Sequence, residues 1–303
     1  MSAAQSGKDR GLSRLLVPSF GARMMLPALV LLAALSIFPF LFIVWMSFNE
    51  VSPIGGLSFD FVGLENWTNL FTDPDVRSSW MISGVYFVAS VGLEMLLGIA
   101  IALLVHEIVW GKNLAISLLL MPMFIAPVIV GLLGRFLVNP TYGLYAWVLK
   151  ATGLFAGNIL GSKGSALAAV ILMDVWEWTP LITLIVLAGL ASMPEEVLEA
   201  AKVDGANYWQ RLRHMVLPFV SGVIIVALLI RSMDAIRYYD IIFITTGGGP
   251  ADATKIIPIR LYETAFRFFE LGYAAAIGLS MLAFSILIAN LFLRILARQG
   301  LAK

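Results

Sequence analysis

Eight ionisable residues stand inside otherwise apolar stretches of this chain: Glu94, Arg135, Asp174, Glu177, Arg231, Asp234, Arg237 and Asp240. A charge at the centre of a membrane-spanning helix costs about 2.5–3.5 kcal/mol on insertion scales, so such residues need partners or a wet path. Arg231 with Asp234, and Arg237 with Asp240, are each three apart, a spacing that puts each pair on one helical face where it can neutralise itself. Two readings fit these charges. One is a polar translocation path or an interhelical switch; the other is structural pairing between helices, with snorkelling near an interface. Asp174, Trp176, Glu177 and Trp178 set carboxylates beside indoles, so hydroxyl acceptors lie next to flat apolar faces, the mixed lining of a sugar pocket. Trp176 and Trp178 also suit an interfacial anchoring belt.

A second signature is the 24-residue polar island 194–217, PEEVLEAAKVDGANYWQRLRHMVL, between two long apolar runs. Pro194 can open a helix, and Glu195, Glu196 and Glu199 fall in its early turns, where negative charge complements exposed N–H groups. Ala200 and Ala201 continue it, Asp204 and Gly205 supply a turn, and Leu217-Pro218 stops the second helix. The pattern predicts a short helix-turn-helix at a membrane surface, and Tyr208 and Trp209 are its expected anchors in a partner's groove.

Thr245 to Pro250, with Gly247, Gly248 and Gly249 before Pro250, is excluded from a helix interior, because each glycine forfeits about 1 kcal/mol relative to alanine. It reads as a flexible or tightly turned connection, in contact with an outside partner or simply terminating a helix. No Lys-Ser/Thr follows at P-loop spacing and no Walker A pattern occurs anywhere, so ATP is not bound by that route. His106 and His214 sit in no metal-ligand motif, so no metal site is expected. With no cysteine in the chain, disulfides and thiol catalysis are excluded.

These residues must be positioned by helices. The chain is 60% hydrophobic and 13% charged, with a mean hydropathy of +0.92, far more apolar than a soluble domain. Runs long enough to span a bilayer, about 20 residues each, lie at Leu26–Phe48, Trp80–Val105, Leu114–Val138, Ala166–Leu190, Pro218–Ile244 and Tyr273–Leu296. The fold class is therefore an all-α polytopic membrane protein with six transmembrane helices. With the N-terminus inside, the connecting segments place 11 lysines and arginines inside and 6 outside, so both termini and the polar island are expected in the cytoplasm. The organisation that follows is a cytoplasmic tail over residues 1–25, a transmembrane domain over 26–296 containing the loop 194–217, and a short cytoplasmic tail over 297–303. The first run lacks a cleavage pattern and reads as a retained helix. Leu12 to Met24 suits either a segment lying along the inner face or a disordered tail. A net charge of +1 leaves no footprint for nucleic acid.

The order Glu199, Ala200, Ala201, Gly205, then Met215, Val216, Leu217 and Pro218 resembles the EAA loop of permease subunits of binding-protein-dependent ABC importers. Met215 stands where that family usually has Ile, a soft exchange. RSMDAIRYYDIIFITTGGGPADAT from Arg231 to Thr254, Tyr262-x-x-x-Phe266, and the run from Gly272 to Ala276 resemble its carbohydrate-uptake branch of maltose and trehalose type. The resemblance implies a loop coupled to an ATPase between helices 4 and 5 and half of a translocation pore in the cytoplasmic membrane. It also implies a second homologous permease subunit, two cytoplasmic ATPase subunits that hold ATP and Mg²⁺, and an external sugar-binding protein. Catalysis and cofactors are then expected in those ATPases, with only membrane lipid around this chain. The rival from another class is a proton-coupled secondary transporter using Asp174, Glu177 or Asp234, which would ordinarily show an internal repeat.

Overall fold

The computed structural model describes residues 20–53 and 55–298. The chain opens with α1 (Phe20–Met46), a β-hairpin of β1 (Asn49–Ser52) and β2 (Ser58–Phe61), α2 (Glu65–Thr72) and the long α3 (Pro74–His106). Next come α4 (Lys112–Leu120), α5 (Pro127–Leu137), α6 (Leu144–Ala151) and α7 (Lys163–Ala191). The polar island forms α8 (Glu195–Val203) and α9 (Tyr208–Arg211), and a π-helical turn at Leu212–Val216 leads into α10 (Leu217–Ala235). The chain closes with α11 (Asp240–Thr245), α12 (Ile257–Phe266) and α13 (Leu271–Arg298).

Five of the described helices are long and apolar enough to cross a membrane. The expected third span is not one of them. Leu114 to Val138 is divided into α4, a 3₁₀ turn at Pro122–Phe124 and α5. Pro122 and Pro127 lack an N–H to continue a helical ladder, and the residue before a proline is pushed out of the helical region. Ala126 is accordingly extended, with φ −63° and ψ 136°. The expected fifth span is displaced. It runs continuously from Tyr208 to Ala235, starting ten residues before Pro218 and breaking off before Ile244. The hairpin, absent from the sequence reading, pairs Asn49 with Phe61 and Ser52 with Ser58 in antiparallel register.

The first span starts at Phe20 rather than Leu26 and the last runs to Arg298. Of the expected N-terminal surface segment, the part up to residue 19 lies outside the described residues, as do residues 299–303.

The scaffold that holds the interior charges is the pairing of α3 with α7, joined by α10. Gly98 lets α3 and α7 approach closely: a Cβ there would lie 2.6 Å from the Ile182 side chain. Around that contact Ala102, Ile182, Val186, Leu190, Val220 and Ala227 form one buried cluster. A second, with Tyr86, Val170, Ile171, Ile241, Ile242 and Ile259, lies toward α11 and α12. By contrast, every side chain of α1 from Met24 to Ile43 is exposed.

Candidate functional site

Arg231 is the centre of the interior charges. From α10 it reaches two neighbouring helices, with Nε donating to Glu94 Oε2 at 2.6 Å, Nη2 to Glu94 Oε1 at 3.0 Å and Nη2 to Asp174 Oδ2 at 2.6 Å. Nη1 donates to Asp234 Oδ2 at 3.2 Å on its own helix. Arg231, Glu94 and Asp174 are wholly buried. The two-point grip by Glu94 matches the planar fork of a guanidinium, the geometry in which a charge-assisted pair is strongest. Removing one partner of such a buried set leaves an uncompensated charge and costs about 3–5 kcal/mol.

Two aromatic rings complete the arrangement. The guanidinium carbon lies 5.4 Å from the Trp178 ring centroid and 5.5 Å from that of Tyr238, and the rings stand at 87° to one another. Tyr238 donates its hydroxyl to Glu177 Oε2 at 2.6 Å, and Trp178 Nε1 donates to that hydroxyl at 3.4 Å. Among the described residues, Glu177 Oε1 and Asp174 Oδ1 are buried without a hydrogen-bond partner. Acceptors left open beside aromatic faces can receive hydroxyl donors.

Helical periodicity decides which sequence candidates meet. Asp174, Glu177 and Trp178 are separated by three and four residues and share a face of α7, whereas Trp176 falls on the opposite one. Trp176 is 52% exposed and lines an apolar cavity of about 630 Å³ with Leu133, Met173 and Phe155. It is not part of the charged site. Arg231 and Asp234 pair as expected, but Arg237 does not meet Asp240. The helix ends at Ala235, and Arg237 turns back to Asp234 at 3.5 Å. Arg135 donates to the Ile244 carbonyl at 3.3 Å. Glu94 carried a sequence signal as a charge in a span, yet nothing in the sequence assigned it to Arg231, 137 residues away. Tyr238 was missed, although it follows Arg231 by two helical turns.

The polar island forms α8 and the start of a longer helix: α9 continues through the π-helical turn into α10, so Leu217-Pro218 does not stop the second helix as expected. Gly205 has φ +80°, a conformation that side chains resist. Asn207 and Gln210 make a capping box at the start of α9, and Arg211 donates to the Ala206 carbonyl across the turn. Ala201 is buried, while Glu196, Glu199, Ala200 and Asp204 are exposed. Trp209 at 73% and Val203 at 88% exposure stand out with Tyr208.

The glycine loop is a hydrogen-bonded turn. Thr246 and Thr254 share a hydroxyl bond of 2.6 Å, and Thr254 Oγ1 donates to the Gly249 carbonyl at 2.8 Å. Gly247 and Gly248 have positive φ, and the Gly249-Pro250 bond is cis. Lys255 ties the turn to α12 through Asp252 at 2.6 Å and Glu263 at 3.0 Å. Burial opposes the charge on Lys255, but those two carboxylates hold its pKa above the ordinary value.

Residues 94–299 match the family model described as "binding-protein-dependent transport system inner membrane component". The chain belongs to this family. Its curated relatives include the trehalose/maltose transport system permease protein MalF of Thermococcus litoralis, 34% identical over 89% of this chain and 90% of that one. The trehalose transport system permease protein SugA of Mycobacterium tuberculosis is 31% identical over 89% of this chain and 86% of its own length. Among solved structures, a bacterial ABC transporter involved in import of the acidic polysaccharide alginate has the same fold, with a TM-score of 0.80 at 21% identity over 91% of this chain and 94% of that one. The protein is a membrane-embedded permease of the ABC importer class, and the proton-coupled rival is not favoured.

Proposed function

We propose that this permease forms half of the translocation pathway of a carbohydrate importer and that α8 and α9 couple it to cytoplasmic ATPase subunits. The observation that carries the reading is the site formed by Glu177, Trp178 and Tyr238: an open, buried carboxylate oxygen beside two perpendicular rings. It accepts hydroxyl donors next to flat apolar faces, which is the chemistry of a sugar. The trehalose and maltose named for its relatives are the first sugars to supply.

The assembly then contains a second, homologous permease that completes the pore, two ATPase subunits that bind ATP and Mg²⁺, and an external sugar-binding protein. Both termini and the island 194–217 face the cytoplasm, and the glycine turn at 247–250 faces outside. ATP-driven closure of the ATPases moves α8 and α9 as a unit, and the continuous helix from Tyr208 to Ala235 carries that displacement toward Arg231. Coupling of this kind requires an element with two arrangements that both sites bias.

ATP hydrolysis by the reconstituted complex, measured with a panel of ligand-loaded sugar-binding proteins, tests the reading. Stimulation by one loaded protein supports it and names the sugar. Solute movement by the chain alone, driven by a proton gradient with no ATPase co-purifying, overturns it.

A further inference from the structure

We propose that Glu94 and Asp174 are positioning residues which, through Arg231, hold Trp178 and Tyr238 in the orientation the sugar path requires. The inference rests on the reading of Trp178 and Tyr238 as path residues. It also removes Arg231 itself from the lining.

Arg231 has no exposed surface, and its donors make four bonds to three carboxylates. A guanidinium so committed cannot also hold a substrate. What it presents outward is its charge, to two rings that meet at 87° with the cation 5.4 and 5.5 Å from their centroids. A desolvated cation beneath a ring is a directional contact, strongest over the face. The plane of the guanidinium therefore constrains both rings at once.

That plane is set from other helices. Glu94 on α3 takes Nε and one Nη through its two oxygens, and Asp174 on α7 takes the same Nη from the other side. Both oxygens of Glu94 are bonded to Arg231, and its influence passes through that residue. Tyr238 depends on such support more than an ordinary helical residue. It lies between the end of α10 at Ala235 and the start of α11 at Asp240, where no continuous helix fixes its direction. Its hydroxyl is held by Glu177 and Trp178, and its face by Arg231.

A purely structural ion cluster makes a different prediction. Buried ion pairs can be replaced by uncharged groups of similar shape with little loss of stability, so a charge-free substitution should then restore function. The test uses the complete complex in proteoliposomes, supplied with trehalose or maltose on its binding protein, and measures sugar moved per ATP hydrolysed. This ratio separates handling of sugar in the pore from affinity set outside. The triple variant Glu94→Gln, Asp174→Asn, Arg231→Met should assemble and hydrolyse ATP within about twofold of the unaltered complex. It should move about thirtyfold less sugar per ATP, the scale of one desolvated cation–π contact. Restoring the cation alone in the Arg231→Lys form, with both carboxylates kept, should recover only part of the ratio, because an ammonium has no plane to be set.

An unaltered ratio in the triple variant overturns the proposal. If that variant fails to assemble, Glu94→Gln alone decides: Arg231 keeps Asp174 and Asp234, the complex forms, and the ratio should still fall by about threefold, a part of the same contact's worth. An unchanged ratio there overturns it equally. A complex of the unaltered chain that hydrolyses ATP but responds to no loaded sugar-binding protein counts against the functional reading and takes this inference with it.

Discussion

Glu177 accepts a hydroxyl through one oxygen and leaves the other buried without a donor. An unsatisfied buried acceptor costs about 1–3 kcal/mol, a penalty that a hydroxyl of the proposed sugar would offset. Glu177→Gln is therefore expected to lower sugar uptake by about tenfold, the worth of a hydrogen bond to a charged group, while leaving the complex assembled; uptake at the unaltered rate would make Glu177 a structural residue. The cost of isolating the arginine's carboxylates appears in stability instead. Arg231→Met alone leaves Glu94 and Asp174 buried without their cation and should destabilise the protein by about 3–5 kcal/mol, read as a lowered melting temperature in detergent. At this scale the sequence supplied the list of charged residues and the aromatic neighbours of Asp174. It did not supply partners, because Glu94 and Arg231 are 137 positions apart and no periodicity links separate helices. Trp176 and Trp178 looked equivalent until their positions around α7 separated them.

Within the island 194–217 the start of α8 and the turn at Gly205 agree with the sequence because they are local, whereas the expected stop at Leu217-Pro218 gives way to a continuous helix. Gly205 at φ +80° tolerates neither proline, whose ring holds φ near −65°, nor easily any side chain. Gly205→Pro should leave the permease in the membrane and sharply reduce the ATPase that co-purifies with it; full co-purification would remove α8 and α9 from the coupling role. Asn207→Ala removes half of the capping box and should cost about 1 kcal/mol locally, a weaker version of the same loss. The divided third span belongs to this scale as well. Pro122 and Pro127 were visible, but apolar length alone joined what they separate. The break after Ala235 had no such marker. No glycine or proline lies between Gly222 and Gly247, and the helix ends where Tyr238 turns to reach Glu177.

Across the whole molecule, α1 leaves the side chains from Met24 to Ile43 exposed, and five described helices are long and apolar enough to span a bilayer. Lipid or a second permease must cover that surface, because water would not tolerate it. Sugar uptake by the reconstituted complex should require ATP and persist when a protonophore collapses the proton gradient; uptake that stops with the gradient and ignores ATP would reinstate a secondary transporter. The proposed topology is checked by tags at the two ends, which should be reachable from the cytoplasmic side only.

Composition and hydropathy by themselves determined a helical membrane protein, because burial of backbone polar groups in lipid leaves few alternatives to the helix. Local spacing determined the turn at Gly205 between α8 and α9 and the glycine turn, whose hydrogen bonds close within a few residues. Tertiary structure alone decided that Arg231 is held by α3 and α7 and that Arg237 serves Asp234 rather than Asp240. For Arg231 the physical reason is that a buried charge takes whichever partner the packed helices bring within reach, a choice made by contacts between segments far apart in the chain; the exposed Arg237 follows instead from the end of its helix at Ala235.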